Sequence, residues 1–120
     1  MTQGGRQIEG TRGRDTITGT IDGDTLLGFG GDDSVRGLGS DDEIHGGVGR
    51  DTLSGGKGDD LLMGGKGIDT LRGFEGDDIL MSGAGSDIVI GGEGEDLFVL
   101  EIGKGLIKSV ASARVKTNWG

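Results

Sequence analysis

Residues 46–81 read GGVGRDTLS, GGKGDDLLM, GGKGIDTLR and GFEGDDILM, four blocks of nine in one frame without a gap. Each block has glycine at positions one and four, aspartate at position six and an aliphatic residue at position eight. The frame runs back to Gly10 and forward to Val99, ten blocks in all. Position six is aspartate in every block: Asp15, Asp24, Asp33, Asp42, Asp51, Asp60, Asp69, Asp78, Asp87 and Asp96. Position eight is Ile17, Leu26, Val35, Ile44, Leu53, Leu62, Leu71, Leu80, Val89 and Phe98. Position one is glycine except at Ser82, and position four is glycine except at Asp22 and Ser40. Position two departs from glycine at Thr11, Thr20, Phe29, Leu38 and Phe74.

This period overrides what composition alone implies. Of 120 residues, 30 are glycine and only 31% are hydrophobic, which read without order suggests a chain too poor in apolar surface to fold. Stacked repeats need no deep core, because each unit buries its apolar residue against the next. The net charge of −9 argues against nucleic acid and anionic membrane as partners and favours cations. Cysteine is absent, so neither disulfides nor thiolate metal sites hold the chain, and bound metal is the remaining staple. No segment approaches the roughly 20 apolar residues of a membrane-spanning helix. The N-terminal MTQGGRQIEG lacks the apolar stretch of a cleavable signal peptide.

Positions seven to nine alternate outward, inward, outward, as strand side chains do. Ten inward residues therefore make one thin core, and the first six residues of each block reverse the chain. Glycine permits the positive backbone angles and close stacking that such a turn needs. Two blocks form one coil of 18 residues, with a strand in each of two sheets. Five coils at about 4.8 Å each give a rod on the order of 24 Å long. Aspartates two blocks apart then fall one layer apart on one side of the rod. Unscreened carboxylates that close repel, and a hard divalent cation between layers reverses the sign. Aspartate also suits turns in its own right, but a turn former alone permits asparagine or serine, and none stands at position six. The ladder points to Ca²⁺, which accepts six to eight oxygens at flexible angles.

The motif G-G-x-G-x-D-x-U-x, repeated over 90 of 120 residues, resembles the RTX (repeats-in-toxin) calcium-binding nonapeptide family. The resemblance implies an all-β fold, a right-handed parallel β-roll or β-solenoid of ten half-turns and about five coils with a short C-terminal cap. It also implies a ligand pattern. One loop offers the carbonyls of positions two and four with its aspartate, and the loop one coil later offers those of positions one and three with its own. On this pattern Gly47, Gly49 and Asp51 join Gly64, Lys66 and Asp69, while Gly56, Gly58 and Asp60 join Gly73, Glu75 and Asp78. The adjoining turn residues Gly46, Val48, Gly55, Lys57, Gly65, Gly67, Phe74 and Gly76 complete the candidate set. Ten repeats allow at most eight such sites, with strain expected where Asp22 and Ser40 replace glycine. The block of residues 10–99 carries 19 acidic and seven basic residues, so it is expected to stay expanded without metal and compact with it.

The chain divides into a polar lead over residues 1–9, expected to lack order, the repeat block 10–99 and a tail 100–120. In the tail, Leu106, Val110 and Ala113, or Ile107, Ala111 and Val115, fall at helical spacing and suggest an amphipathic helix over the open end, with Trp119 as anchor. Outward residues of the odd repeats are mostly polar, whereas those of the even repeats become apolar at Leu61, Met63, Ile79, Met81, Leu97 and Val99. That face is read either as packing against the chain's own tail or as a docking surface for a protein partner or second copy. His45 is the one histidine, beside Glu43, and no nucleophile–base pair stands out, so the expectation is a non-enzymatic calcium module. The family resemblance implies a secreted, extracellular setting, either as a structural module, as an adhesive or self-assembling one, or as the non-catalytic domain of a secreted enzyme.

Overall fold

The computed structural model describes residues 6–100, 107–112 and 115–116. The strands are β1 (Gln7–Glu9), β2 (Thr16–Thr18), β3 (Thr25–Leu27), β4 (Ser34–Arg36), β5 (Glu43–His45), β6 (Thr52–Gly56), β7 (Leu61–Met63), β8 (Thr70–Phe74), β9 (Ile79–Gly83), β10 (Asp87–Gly92), β11 (Asp96–Leu100), β12 (Ile107–Ser112) and β13 (Val115–Lys116). Every block contributes a strand at positions seven to nine, and the described residues contain no helix.

The strands form two parallel sheets, ordered β1-β3-β5-β7-β9-β11-β13 and β12-β10-β8-β6-β4-β2. Within the repeats each strand pairs with the strand 18 residues on, so Leu26 faces Ile44, Ile44 faces Leu62 and Leu62 faces Leu80. The result is a β-solenoid of about five turns. Between the sheets runs the core: Ile17, Leu26, Val35, Ile44, Leu53, Leu62, Leu71, Leu80 and Val89, all buried. Ile8 and Phe98 pack partly buried against it. Of the ten position-eight residues, Phe98 alone is not fully enclosed.

From the third block onward, positions two and four both take positive φ. Gly67, at φ 119°, shows why position four is glycine: a Cβ there would strike the backbone carbonyl of Gly49, one coil below. Four residues accept this backbone without being glycine: Phe29, Leu38, Ser40 and Phe74, at φ 72°, 79°, 62° and 71°. Each such residue costs about 1–2 kcal/mol. Ser40 offsets part of this, because its hydroxyl donates to the Ile21 carbonyl at 2.7 Å. Asp22, the other departure, lies in a different kind of turn, described below.

Both ends differ from the sequence expectation. The lead is not wholly without order: Gln7–Glu9 form β1 and pair with β3, Ile8 opposite Leu26. The helical spacing in the tail does not yield a helix. Ile107–Ser112 is a strand that pairs with β10, and Val115–Lys116 pairs with β11. Leu106, Ala113 and Trp119 lie outside the described residues. The physical reason is the open parallel edge of β10 and β11, whose unpaired N–H and C=O groups a further strand satisfies and a covering helix does not. The closing coil is longer than the rest, for Val89 pairs with Val110, 21 residues on, with register shifts on either side. That lengthening is why the nine-residue frame stops at Val99.

The fold predicts opposite outcomes at two glycines that share a repeat position. Gly67→Ala should destabilise the roll by more than about 2 kcal/mol, from the left-handed backbone and the clash together. Gly13→Ala, where a Cβ meets nothing nearer than the Thr11 hydroxyl at 3.8 Å, should change stability by less than about 0.5 kcal/mol. Thermal unfolding in calcium-containing buffer measures both.

Candidate metal centre

Position six closes each turn immediately before the strand, so the aspartates stack in two columns: 15-33-51-69-87 and 24-42-60-78-96. All except Asp15 are buried. The backbone N–H of each of the first eight donates to Oδ1 of the aspartate one coil on, at 2.8–2.9 Å, from Asp15 to Asp33 through to Asp78 to Asp96. One oxygen of each carboxylate is thereby satisfied by protein.

The other oxygen is not. Oδ2 of Asp33, Asp42, Asp51, Asp60, Asp69, Asp78 and Asp87 is buried with no hydrogen-bond partner. A native fold rarely leaves such atoms orphaned, and seven in one repeat position fit a bound cation. Each Oδ2 looks into a cradle at position one. A Cβ on Gly46 would lie 2.7 Å from Asp51 Oδ2 and 2.9 Å from the Gly64 carbonyl. On Gly64 it would lie 2.7 Å from both Asp69 Oδ2 and the Ser82 carbonyl. Glycine at position one therefore keeps a carboxylate oxygen and a carbonyl from the next coil around one small space. Ser82 is the exception, and its hydroxyl is also buried without a partner.

The first two turns are built otherwise. At Asp24, the Thr20 N–H donates to Oδ2 at 2.6 Å and the Thr20 hydroxyl donates at 2.9 Å. The same hydroxyl accepts the Asp22 N–H at 3.0 Å, which closes the turn without a left-handed residue. Thr11 repeats the arrangement on Asp15, with its N–H 2.6 Å from Oδ2 and its hydroxyl accepting the Gly13 N–H at 3.1 Å. Thr11 and Thr20 stood out in the sequence only as departures from glycine. The signal that assigns them a role is threonine four residues before the aspartate, a side chain able to bond nearby backbone.

Acidity separates the two kinds of turn. Burial pushes Asp60 and Asp69 up to about 8, Asp78 to about 7, and Asp42 and Asp51 to about 6, with neighbouring aspartates adding to the rise. Asp33 and Asp87 are also raised by burial. At Asp24 burial acts in the same direction, but the hydrogen bonds from Thr20 and the Arg6 backbone outweigh it and lower the carboxyl.

The loops that the sequence pattern joins are indeed stacked. Gly49 N–H donates to Lys66 O at 3.0 Å, Val48 bridges Lys66, and Asp51 bonds Asp69. In the neighbouring column Glu75 N–H donates to Gly56 O at 3.2 Å and Asp60 bonds Asp78. Each carbonyl has a second lone pair. Among the described residues, no three His, Cys, Asp or Glu side chains converge on one point. Donors here are backbone carbonyls with a few carboxylates, an all-oxygen set that suits a hard cation such as Ca²⁺ and not a nitrogen- or thiolate-seeking metal. Exposed position-five aspartates, a column of Asp41, Asp59 and Asp77 on the even-repeat edge and Asp32 on the odd-repeat edge, were not singled out in the sequence. Asp32, Asp41, Asp59 and Asp77 accept the N–H of Arg50, Asp59, Asp77 and Glu95 at 2.7–2.9 Å.

These shifts fix the sign of a pH dependence. Carboxyls raised in the folded, metal-free chain stabilise it below their unfolded value near 4, and that stability is lost as pH rises through 6 to 8. In chelator, strand signal in circular dichroism should therefore be greater at pH 5.5 than at pH 8.5. Calcium should bind more tightly at the higher pH and release protons. A metal-free spectrum that does not change between these pH values would contradict the burial of the aspartates.

No curated protein gives a significant match to the chain. A family model described as RTX calcium-binding nonapeptide repeat (4 copies) matches residues 9–43, 36–71 and 72–107. With the repeat frame, the parallel roll and the orphaned carboxylate oxygens in agreement, the chain belongs to the RTX calcium-binding nonapeptide repeat family.

Proposed function

We propose that the chain is a structural module that folds when Ca²⁺ enters the spaces between its stacked turns. The observation that carries this reading is the set of seven buried aspartate oxygens without a protein partner. Bound Ca²⁺ supplies the positive charge that offsets the stacked carboxylates. Positive φ at positions two and four in the turns of repeats three to ten supports reading these turns as the ones whose carbonyls meet the ion. Pairing each with the turn one coil on gives six sites, two fewer than the repeat count allows. Asp51 with Asp69 and Asp60 with Asp78 lie at the centre of this series, and Gly47, Gly49, Gly56 and Gly58 contribute carbonyls. Asp15 and Asp24 hold their carboxylates with Thr11 and Thr20 and need no metal.

A metal-free roll must bury uncompensated charge in a block whose net charge is already strongly negative, so binding and folding are one equilibrium. Such a switch suits a protein that stays expanded where calcium is scarce and compacts outside the cell, where it is plentiful. The apolar face of Leu61, Met63, Ile79, Met81, Leu97 and Val99 is only partly covered, with Ile79 and Val99 each 39% exposed. It supports a second reading, a docking surface for a neighbouring domain of a secreted protein. Among the described residues no helix is long and apolar enough to cross a membrane.

Calorimetric titration with folding followed in parallel tests the main reading. Six ions are expected for the native chain. Asp60→Asn, shared by two sites, should remove two of them, and Asp15→Asn none. A chain already rich in strand at neutral pH in strong chelator would refute the coupling.

A further inference from the structure

The turn edge built by the even-numbered repeats carries an apolar groove of 720 Å³. Along it runs a column of position-two residues, one coil apart: Leu38, Gly56, Phe74 and Gly92. Large and small alternate. Gly56 pairs in register with Phe74, and a Cβ on Gly92 would lie 2.5 Å from the Phe74 carbonyl. Leu38 and Phe74 occupy the left-handed region that five of the eight equivalent positions give to glycine. Their side chains remain 41% and 45% exposed. A strained backbone that holds an apolar side chain in water marks a surface kept for contact. Position three adds charge: Lys57 follows Gly56 and Glu75 follows Phe74, both exposed. Among the described residues neither of these charges has a salt-bridge partner.

We propose that this edge is an isologous dimer interface, occupied by a second, antiparallel copy of the chain. Place the two-fold axis between the coil of Gly56 and Lys57 and the coil of Phe74 and Glu75. Phe74 then enters the notch over Gly56 of the second copy, Leu38 enters the notch over Gly92, and Lys57 meets Glu75. Each contact occurs twice, as two-fold symmetry requires. Neighbouring registers fail on the same residues. An axis through the Phe74 coil sets Phe74 on Phe74 and Glu75 on Glu75. One through the Gly56 coil sets Lys57 on Lys57. One between Phe74 and Gly92 sets Glu75 on Glu93. Among these four registers size and charge favour the first, by repulsion in the others as well as attraction in it.

The test is sedimentation of the full chain in calcium-containing buffer, with circular dichroism on every sample so that loss of the roll and loss of the dimer are read separately. The native chain should be a dimer. Lys57→Glu and Glu75→Lys should each weaken it by at least about tenfold. Mixed in equal amounts, the two variants should dimerise again, because both charge contacts become favourable only between unlike copies. Phe74→Gly keeps the backbone carbonyl and places at this site the glycine that five of its equivalents carry; the dimer should be lost, with circular dichroism reporting the roll separately. A native chain that stays monomeric at millimolar concentration overturns the proposal. So does a dimer indifferent to these substitutions, one abolished instead by Ile79→Lys on the sheet face, or a mixture that fails to reassociate.

Discussion

Each of the seven buried aspartates from Asp33 to Asp87 is held by two coils at once, and only half of it is satisfied. Its Oδ1 takes a backbone N–H from the coil before, which fixes the register of one turn on the next. Its Oδ2 is turned into a space that the protein does not fill. The same contact therefore specifies the stack and leaves it incomplete. An unpaired carboxylate oxygen in a low-dielectric interior is costly. The upward shift of the buried carboxyls expresses that cost, and it is greatest at Asp60 and Asp69, in the middle of the rod.

Other features follow from keeping this space open. Glycine at position one leaves the cradle free of a Cβ beside a carbonyl of the next coil, and positions two and four take the left-handed backbone of the turn. The core contributes little by comparison: a single file of aliphatic side chains, one per strand, with both sheets otherwise facing outward. A domain so thin cannot rely on hydrophobic burial alone.

The rod is not uniform. Its first coil closes with threonine hydroxyls and satisfies its own carboxylates, and β1 pairs onto it through Gln7–Glu9. Its last coil lengthens and recruits β12 and β13 to the open edges. Between them lie the turns whose carboxylates lack a partner. The stack thus has an internally satisfied start, a middle whose buried carboxylates each keep one oxygen without a protein partner, and a strand-paired close.

The sequence by itself determined the period, the core and the columns. Ten aspartates and ten inward residues in one unbroken frame leave one way to coil the chain, because strand alternation and an 18-residue turn are local rules applied repeatedly. The structure decided what happens where the frame is broken. Thr11 and Thr20 look like imperfect glycines until their hydroxyls are seen on Asp15 and Asp24. Phe29, Leu38 and Phe74 look tolerable until their backbone proves left-handed. Residues 107–112 carry helical spacing, yet form a strand because an unpaired sheet edge lies beside them. In each case the deciding partner lies in another coil or across a turn, and a pattern of residue types along the chain does not record which backbone groups remain to be satisfied.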